Sequence, residues 1–204
     1  MREKRAECVG YIIGKLSSAE IDIVTLYTEV LGPALNDMIC EDDETTCIWH
    51  EHVRSSIVRT VVESAYPYLG LEIEEAGVEP LGKKVMVFCP PEEYHEIGAR
   101  MAADMFELVG FEVTYVGANT PKEVILSAIG SESPDIAAIS VSNSYHIFEA
   151  KRTISLLRER AEKDMMVVVG GGAFSEKPES FKEVGADRLV NSFQDILELR
   201  DAIC

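Results

Sequence analysis

Basic residues are scarce in this sequence. Nineteen Lys and Arg stand against 36 Asp and Glu, a formal net charge of −17 over 204 residues. A phosphate backbone or an anionic membrane surface repels such a chain, which argues against direct nucleic-acid binding. No apolar run reaches the length of a bilayer crossing, and the start, from Met1 to Glu7, mixes acidic with basic residues and has no apolar signal core behind it. A soluble, cytoplasmic protein is the expectation. Cysteine offers no framework either. Cys8, Cys40, Cys47, Cys89 and Cys204 are odd in number and form no Cys-x-x-Cys pair, and a chain of this size folds without staples, so all five read as free thiols. Cys40 and Cys47 lie near His50 and His52, but the spacing matches no familiar zinc pattern. There is no internal repeat and no low-complexity tract. With 47% hydrophobic residues, general disorder is excluded as well.

What is present changes character near residue 80. Before it, apolar residues recur at helical spacing: Val9, Ile12, Ile13 and Leu16; Ile23, Leu26, Tyr27, Val30 and Leu31; Ile57, Val58, Val61 and Val62. The pattern predicts a helical bundle over 1–80. Gly32-Pro33 is expected to kink or restart the second helix, Pro67 to close the third, and Gly70 to Lys84 to form helix end and linker. After Lys84, short apolar runs alternate with amphipathic stretches. The runs are 85–89, 111–116, 136–141, 165–169 and 188–190, and they read as strands covered on both faces. Helices are expected at about 95–109, 121–130, 146–163, 176–184 and 193–202. Residues 81–204 therefore predict an α/β domain with a doubly wound, five-stranded parallel sheet, whose ligand side lies outside the carboxyl ends of the strands.

Three loops on that side invite chemistry. The first is Cys89-Pro90-Pro91-Glu92-Glu93-Tyr94-His95-Glu96-Ile97-Gly98. On position alone His95 is a helix cap or a solvated side chain. Glu93, two residues earlier, shifts the balance, because a carboxylate accepting one imidazole N–H fixes the tautomer and strengthens the ring as a ligand. The pair reads as a metal-ligand dyad or a general base. The second loop, Ser140-Val141-Ser142-Asn143-Ser144-Tyr145, leaves space and supplies hydroxyls, although such clusters are ordinary loop formers. The third, Gly170-Gly171-Gly172, follows a buried strand and suggests close backbone approach to a ligand. It lacks the Lys-Ser/Thr of a P-loop and the Gly-x-Gly-x-x-Gly spacing of a dinucleotide site, so both nucleotide readings fall. A phosphate-receiver reading fails too, because Asp135 and Asp187 flank strands without the required acidic pair and lysine. His146 reads as a cap or surface residue.

Glu93-x-His95-x-x-Gly98, Ser140-x-Ser142 and Gly171-Gly172, in that order on a doubly wound sheet, resemble the Asp-x-His-x-x-Gly, Ser-x-Leu and Gly-Gly motifs of base-off, His-on cobalamin-binding domains. The resemblance, which includes Gly185-Ala186-Asp187, spans roughly residues 20–202 and implies a Rossmann or flavodoxin-like fold. It also implies His95 as the lower cobalt ligand, Glu93 as its orienter, and Gly98 as room for the displaced nucleotide tail. Ser140 would hydrogen-bond the benzimidazole, and Gly170, Gly171 and Gly172 would line the tail slot. Tyr94, Glu96, Ile97 and Ser142 would be further cofactor contacts. Glu93 stands where Asp is commoner, as in the light-sensing, MerR-type cobalamin repressors, and Ser142 replaces Leu.

The family usually carries a helical cap over the upper corrin face, and residues 1–80 resemble it. Trp49-His50-Glu51-His52-Val53-Arg54-Ser55 resembles the Glu-His-x-x-Ser stretch of such caps through Glu51, His52 and Ser55. Trp49, His52 and Ser56 fall near one helix face, which places Trp49, Glu51 and His52 among the expected cofactor contacts, while His50 reads as solvated. Where the light-sensing repressors have a further Trp-His pair, this sequence has Glu41-Asp42. Their DNA-reading winged helix is expected to be missing, which implies output through a protein partner. The resemblance thus implies a cobalamin protein, with adenosyl-, methyl- or hydroxocobalamin, of sensory or regulatory type. The alternative is a corrinoid carrier that moves methyl groups between methyltransferases. A protein partner, either regulator or methyltransferase, and a homo-oligomer are compatible with both.

Overall fold

The computed structural model describes residues 4–36, 43–160, 164–175 and 177–203. The chain divides into two compact units, Met1–Gly77 and Val78–Cys204.

The first unit is helical. It comprises α1 (Arg5–Ser17), α2 (Ile23–Thr25), a π-helical turn (Leu26–Leu31), α3 (Gly32–Asn36) and the long α4 (Glu44–Glu75). Asp22 and Asp43 start helices α2 and α4 by accepting the Thr25 and Thr46 amides at 2.6 and 3.1 Å. The elements α1, α2 and α3 lie against α4 and bury Leu16, Ile23, Leu26, Tyr27, Leu31, Val58, Val61, Val62, Ala65 and Leu69. Two expectations fail here. Val30, placed inside by helical spacing, is exposed, because the Gly32 amide bonds back to Tyr27 O rather than to Thr28 and the wider turn shifts every following side chain around the axis. Pro67 does not end its helix. Ala65 and Leu69 are buried on either side of it, and packing carries α4 past the missing N–H to Glu75. Cys47, expected as a free thiol, is disulfide-bonded; Cys8 and Cys89 are free, and Cys40 and Cys204 lie outside the described residues. Chain length shows that a fold can do without a staple, not that no two sulfurs meet.

The second unit is the predicted doubly wound sheet. It contains β1 (Lys84–Phe88), α5 (Ile97–Leu108), β2 (Glu112–Gly117), α6 (Lys122–Glu132), β3 (Ile136–Ser140), α7 (Ile147–Arg160), β4 (Met166–Gly170), α8 (Ser180–Glu183), β5 (Arg188–Leu189) and α9 (Phe193–Ile203). The five strands are parallel in the order β2-β1-β3-β4-β5. The order reverses between β1 and β3, the switch point outside whose strand ends open α/β sheets bind ligands. One core joins Met86, Phe88, Ala137, Ile139, Val167 and Val169 of the sheet to Ile125, Ile154, Leu157 and Phe174. The expectation of strands covered on both faces fails for β2, an edge strand whose residues alternate in exposure. The helix expected at 176–184 is the four-residue α8 among the described residues, preceded by a 3₁₀ turn at Gly172–Phe174. The helix expected at 95–109 begins at Ile97, which leaves His95 in the loop; residues 161–163, at the expected end of α7, lie outside the described residues. Asp135 and Asp187 are structural. They accept the Lys84 and Val167 amides at 2.9 and 2.7 Å and tie strand starts together. Among the described residues no helix is long and apolar enough to cross a membrane.

Candidate functional site

The loop after β1 turns sharply because Glu92 takes a left-handed conformation, φ 70°, which an L residue adopts at a cost. The turn separates neighbours. Glu93 is wholly buried, whereas Tyr94 is 67% exposed and the His95 side chain 56% exposed. A buried carboxylate needs partners, and Glu93 has four. Its Oε1 accepts the His95 amide at 2.9 Å and faces His95 Nδ1 at 2.6 Å. Its Oε2 accepts the Ser142 and Asn143 amides at 2.9 and 3.1 Å. Burial pushes the Glu93 carboxyl up, but these hydrogen bonds, led by that from the His95 amide, outweigh it and hold the group below the usual glutamate range.

The arrangement assigns the tautomer. An ionised carboxylate only accepts, so Nδ1 carries the proton and Nε2 of the neutral ring keeps its lone pair. This is how a carboxylate orients a metal-binding imidazole. Because Glu93 follows β1 while Ser142 and Asn143 follow β3, the same side chain spans the switch point of the sheet.

Around His95 there is room. A Cβ at Gly98 would meet nothing within 4 Å, as expected if something bulky approaches α5. Ile97 and Glu96 are half-buried at the start of that helix. The Tyr115 hydroxyl lies 3.5 Å from Glu96 O and 3.4 Å from Glu96 Oε2, and burial raises its pKa well above the ordinary tyrosine value. Beneath the loop, Cys89 is buried with its Sγ 3.8 Å from His95 O. Burial, helped by the nearby Glu93 and Glu96 charges, pushes its thiol up to about 12, which disfavours the reactive thiolate.

Ser140 and Ser142 are half-buried at the end of β3 and just beyond it, and neither hydroxyl has a partner among the described residues. The glycine loop packs tightly against the chain's own backbone. A Cβ at Gly170 would lie 2.2 Å from Val190 O, and one at Gly171, φ 101°, would lie 2.5 Å from Val141 O. These glycines let the β4 end pass close to the chain's own loops; Gly172 likewise approaches Ser142 O, at 3.1 Å. His146 is half-buried at the end of the 3₁₀ turn Ser144–His146 that precedes α7.

In the helical unit, Trp49 is 44% exposed, and Glu51 and His52 are exposed on α4. Ser56, on the same face, accepts a hydrogen bond from Arg5 at 2.7 Å. His50, expected as solvated, is half-buried with its ring 3.9 Å from the Trp49 indole, because adjacent aromatic residues on a helix can turn toward each other. Glu41 and Asp42 lie outside the described residues. Among the described residues no three His, Cys, Asp or Glu side chains gather as a metal cluster.

Three residues that the sequence alone did not mark hold the site. Asn119 Oδ1 accepts the Glu92 amide at 2.8 Å, Asn143 Oδ1 accepts the Tyr145 amide at 3.0 Å, and Asn191 Oδ1 accepts the Gly171 amide at 2.7 Å. Asn143 makes a local turn two residues long, whereas Asn119 and Asn191 reach amides 27 and 20 residues away; the one signal they share is an Asn two or three residues past the end of a strand.

The family described as the B12 binding domain matches residues 83–199. The chain is similar to the HTH-type transcriptional repressor CarH of Myxococcus xanthus, 30% identical over 148 residues, which cover 72% of this chain and 47% of that protein. It is also similar to the repressor CarA of the same organism, 27% identical over 201 residues, 94% of this chain and 65% of that one. The chain thus spans about half to two thirds of the length of these curated relatives. The structure of the Methanosarcina barkeri monomethylamine corrinoid protein shares the fold, with a TM-score of 0.79 and 16% identity, covering 99% of this chain and 93% of that one.

Proposed function

The chain belongs to the B12-binding domain family and its cofactor is cobalamin, and from that premise we propose that it holds the cofactor base-off, with Nε2 of His95 as the lower cobalt ligand. The observation that carries this reading is the Glu93–His95 pair: a wholly buried carboxylate engages Nδ1 while most of the ring faces outward. Gly98, with open space beside it, supports a place for the displaced tail, and the unpartnered Ser140 and Ser142 hydroxyls support hydrogen bonding to its base. Tyr94, Glu96 and Ile97 flank the ligand, and Gly170, Gly171 and Gly172 hold the adjoining loop in shape. On their motif alone, Trp49, Glu51 and His52 of α4 are proposed as contacts of the upper face.

When bound, the cofactor supplies organometallic chemistry at cobalt; the polypeptide supplies ligation, orientation and exclusion of water. The similarity to two repressors over most of this chain supports a regulatory role. The domain would report the state of the cofactor to a protein partner, because a surface with net charge −17 does not suit direct contact with DNA.

Visible and electron paramagnetic resonance spectra of the protein with cobalamin test the ligand. In His95→Ala the spectrum is expected to lose its protein-nitrogen signature and the affinity to fall; an unchanged spectrum and affinity would overturn the assignment. Illumination of the adenosylcobalamin complex with mass measured before and after tests regulation through assembly. Methylation of the bound cofactor by a purified methyltransferase, with assembly unchanged, would favour the carrier instead.

A further inference from the structure

The loop after β2 clasps the loop that carries His95. The Cys89 amide donates to Gly117 O at 2.9 Å, the Thr120 amide to Cys89 O at 3.2 Å, and the Asn119 amide to Glu93 O at 2.8 Å. The Glu92 amide in turn donates to Asn119 Oδ1 at 2.8 Å. Two of these contacts belong to Asn119, which brackets the Glu92–Glu93 turn from both sides. Both Glu92 and Asn119 are left-handed, with φ of 70° and 46°. For Asn that conformation is common; for Glu it needs compensation from its surroundings. The compensation here is the Asn119 carboxamide on the Glu92 amide. Its consequence is directional, because the reversal at Glu92 sends the Glu93 side chain inward to its amide partners and leaves His95 outside.

The geometry points to Asn119 as a positioning residue for the axial ligand: by holding the Glu92–Glu93 turn it presents the Glu93 carboxylate to His95 Nδ1 and sets how firmly Nε2 is held toward cobalt. This inference rests on His95 being the lower ligand. Asn119 itself touches neither His95 nor, in this role, the cofactor. The backbone hydrogen bonds of Cys89 with Gly117 and Thr120 do not involve its side chain, so the clasp survives its truncation.

The test compares wild type, Asn119→Ala, Asn119→Gly and Asn119→Asp, all labelled with nitrogen-15. Asn119→Gly keeps access to the left-handed backbone and loses the acceptor, and Asn119→Asp keeps both. With Co(II) cobalamin bound, paramagnetic resonance measures the fraction of cobalt coupled to a protein nitrogen. Without cofactor, nitrogen-15 NMR follows the His95 ring and the exchange of its Nδ1 proton. Loss of one such hydrogen bond is expected to raise the uncoupled-to-coupled ratio and the Nδ1 proton exchange by roughly three- to tenfold in Asn119→Ala and Asn119→Gly, with Asn119→Asp staying near wild type. A purely structural role would lower the melting temperature and leave the coupled fraction unchanged. If Asn119→Ala and Asn119→Gly match wild type in both measurements, the inference is overturned while the ligand assignment stands. If wild type itself shows no protein-nitrogen coupling, the ligand assignment falls and this inference with it.

Discussion

Each unit of the molecule contains a carboxylate that accepts backbone amides from a segment about fifty residues away, and the two respond in opposite directions. In the helical unit Glu72 accepts the Ile23 amide with both oxygens, at 2.9 and 3.2 Å. Burial raises its pKa, the single amide only partly offsets this, and the neighbouring Asp22 and Glu75 charges add to the rise. In the sheet unit the more deeply buried Glu93 is lowered, because three amides and an imidazole converge on it. Burial raises both, and the converging donors outweigh it at Glu93, whereas one amide beside two acidic neighbours does not at Glu72. One carboxylate is tolerated for its capping of a short helix; the other is built to stay ionised beside the residue it orients.

The largest expected effect comes from removing the second. Glu93→Ala leaves the amides of His95, Ser142 and Asn143 without their acceptor and is expected to cost about 3 kcal/mol in urea unfolding. Weakened cobalamin binding should accompany it, and a loss below about 1 kcal/mol would show that water replaces the carboxylate and that the contrast with Glu72 is overdrawn.

The glycines sharpen the contrast between packing and ligand space within the sheet unit. Gly171→Ala meets Val141 O at 2.5 Å in a left-handed conformation and should destabilise by about 2 kcal/mol. Gly98→Ala, inside α5 with nothing within 4 Å, should raise the stability of the protein without cofactor by about 0.5 kcal/mol. It should nevertheless weaken cobalamin binding. Thermal melts paired with cofactor titration read both arms, and unaltered affinity in Gly98→Ala would remove that residue from the site.

The smallest effect concerns pH. A lowered Glu93 contributes stability that is complete above the ordinary glutamate pKa, about 4.3, and is lost as pH falls through the folded value. A raised Glu72 does the reverse: its contribution is complete below the ordinary value and is lost as pH rises through the folded one. Glu72→Gln is therefore expected to gain on wild type at about pH 7 and not at about pH 3. Melts of both proteins at the two pH values measure it, and an equal gain at both would assign the effect to something other than ionisation.

Much of the sheet unit was legible in advance, because buried strands are written as short apolar runs and Val85 to Cys89 or Met165 to Val169 admit few other readings. The pairing of Glu93 with His95 was legible for a similar reason, since two residues in a tight loop can meet without help from the rest of the fold. Its other half was not. Ser142 and Asn143 reach Glu93 from 49 and 50 residues away, and no local pattern announces a backbone amide as the partner. Asn119 and Asn191 were hidden likewise, because a loop asparagine is ordinary until its acceptor is seen to hold another strand's loop. In the helical unit, spacing named the helices, yet the π-helical turn at Leu26–Leu31 and the passage of α4 through Pro67 depend on packing that periodicity does not encode.

The order of apolar runs, the acidic balance and the spacing of Glu93, His95 and Gly98 were determined by the sequence itself, since each is a property of residues read along one chain. Only the tertiary structure decided in which carboxylate converging donors would favour the ionised form, which glycines pack tightly and which leave space, and that the loop after β2 would hold the loop after β1. Those outcomes depend on groups distant in sequence arriving within hydrogen-bonding distance, and burial then makes the presence or absence of each partner count far more than it would in water.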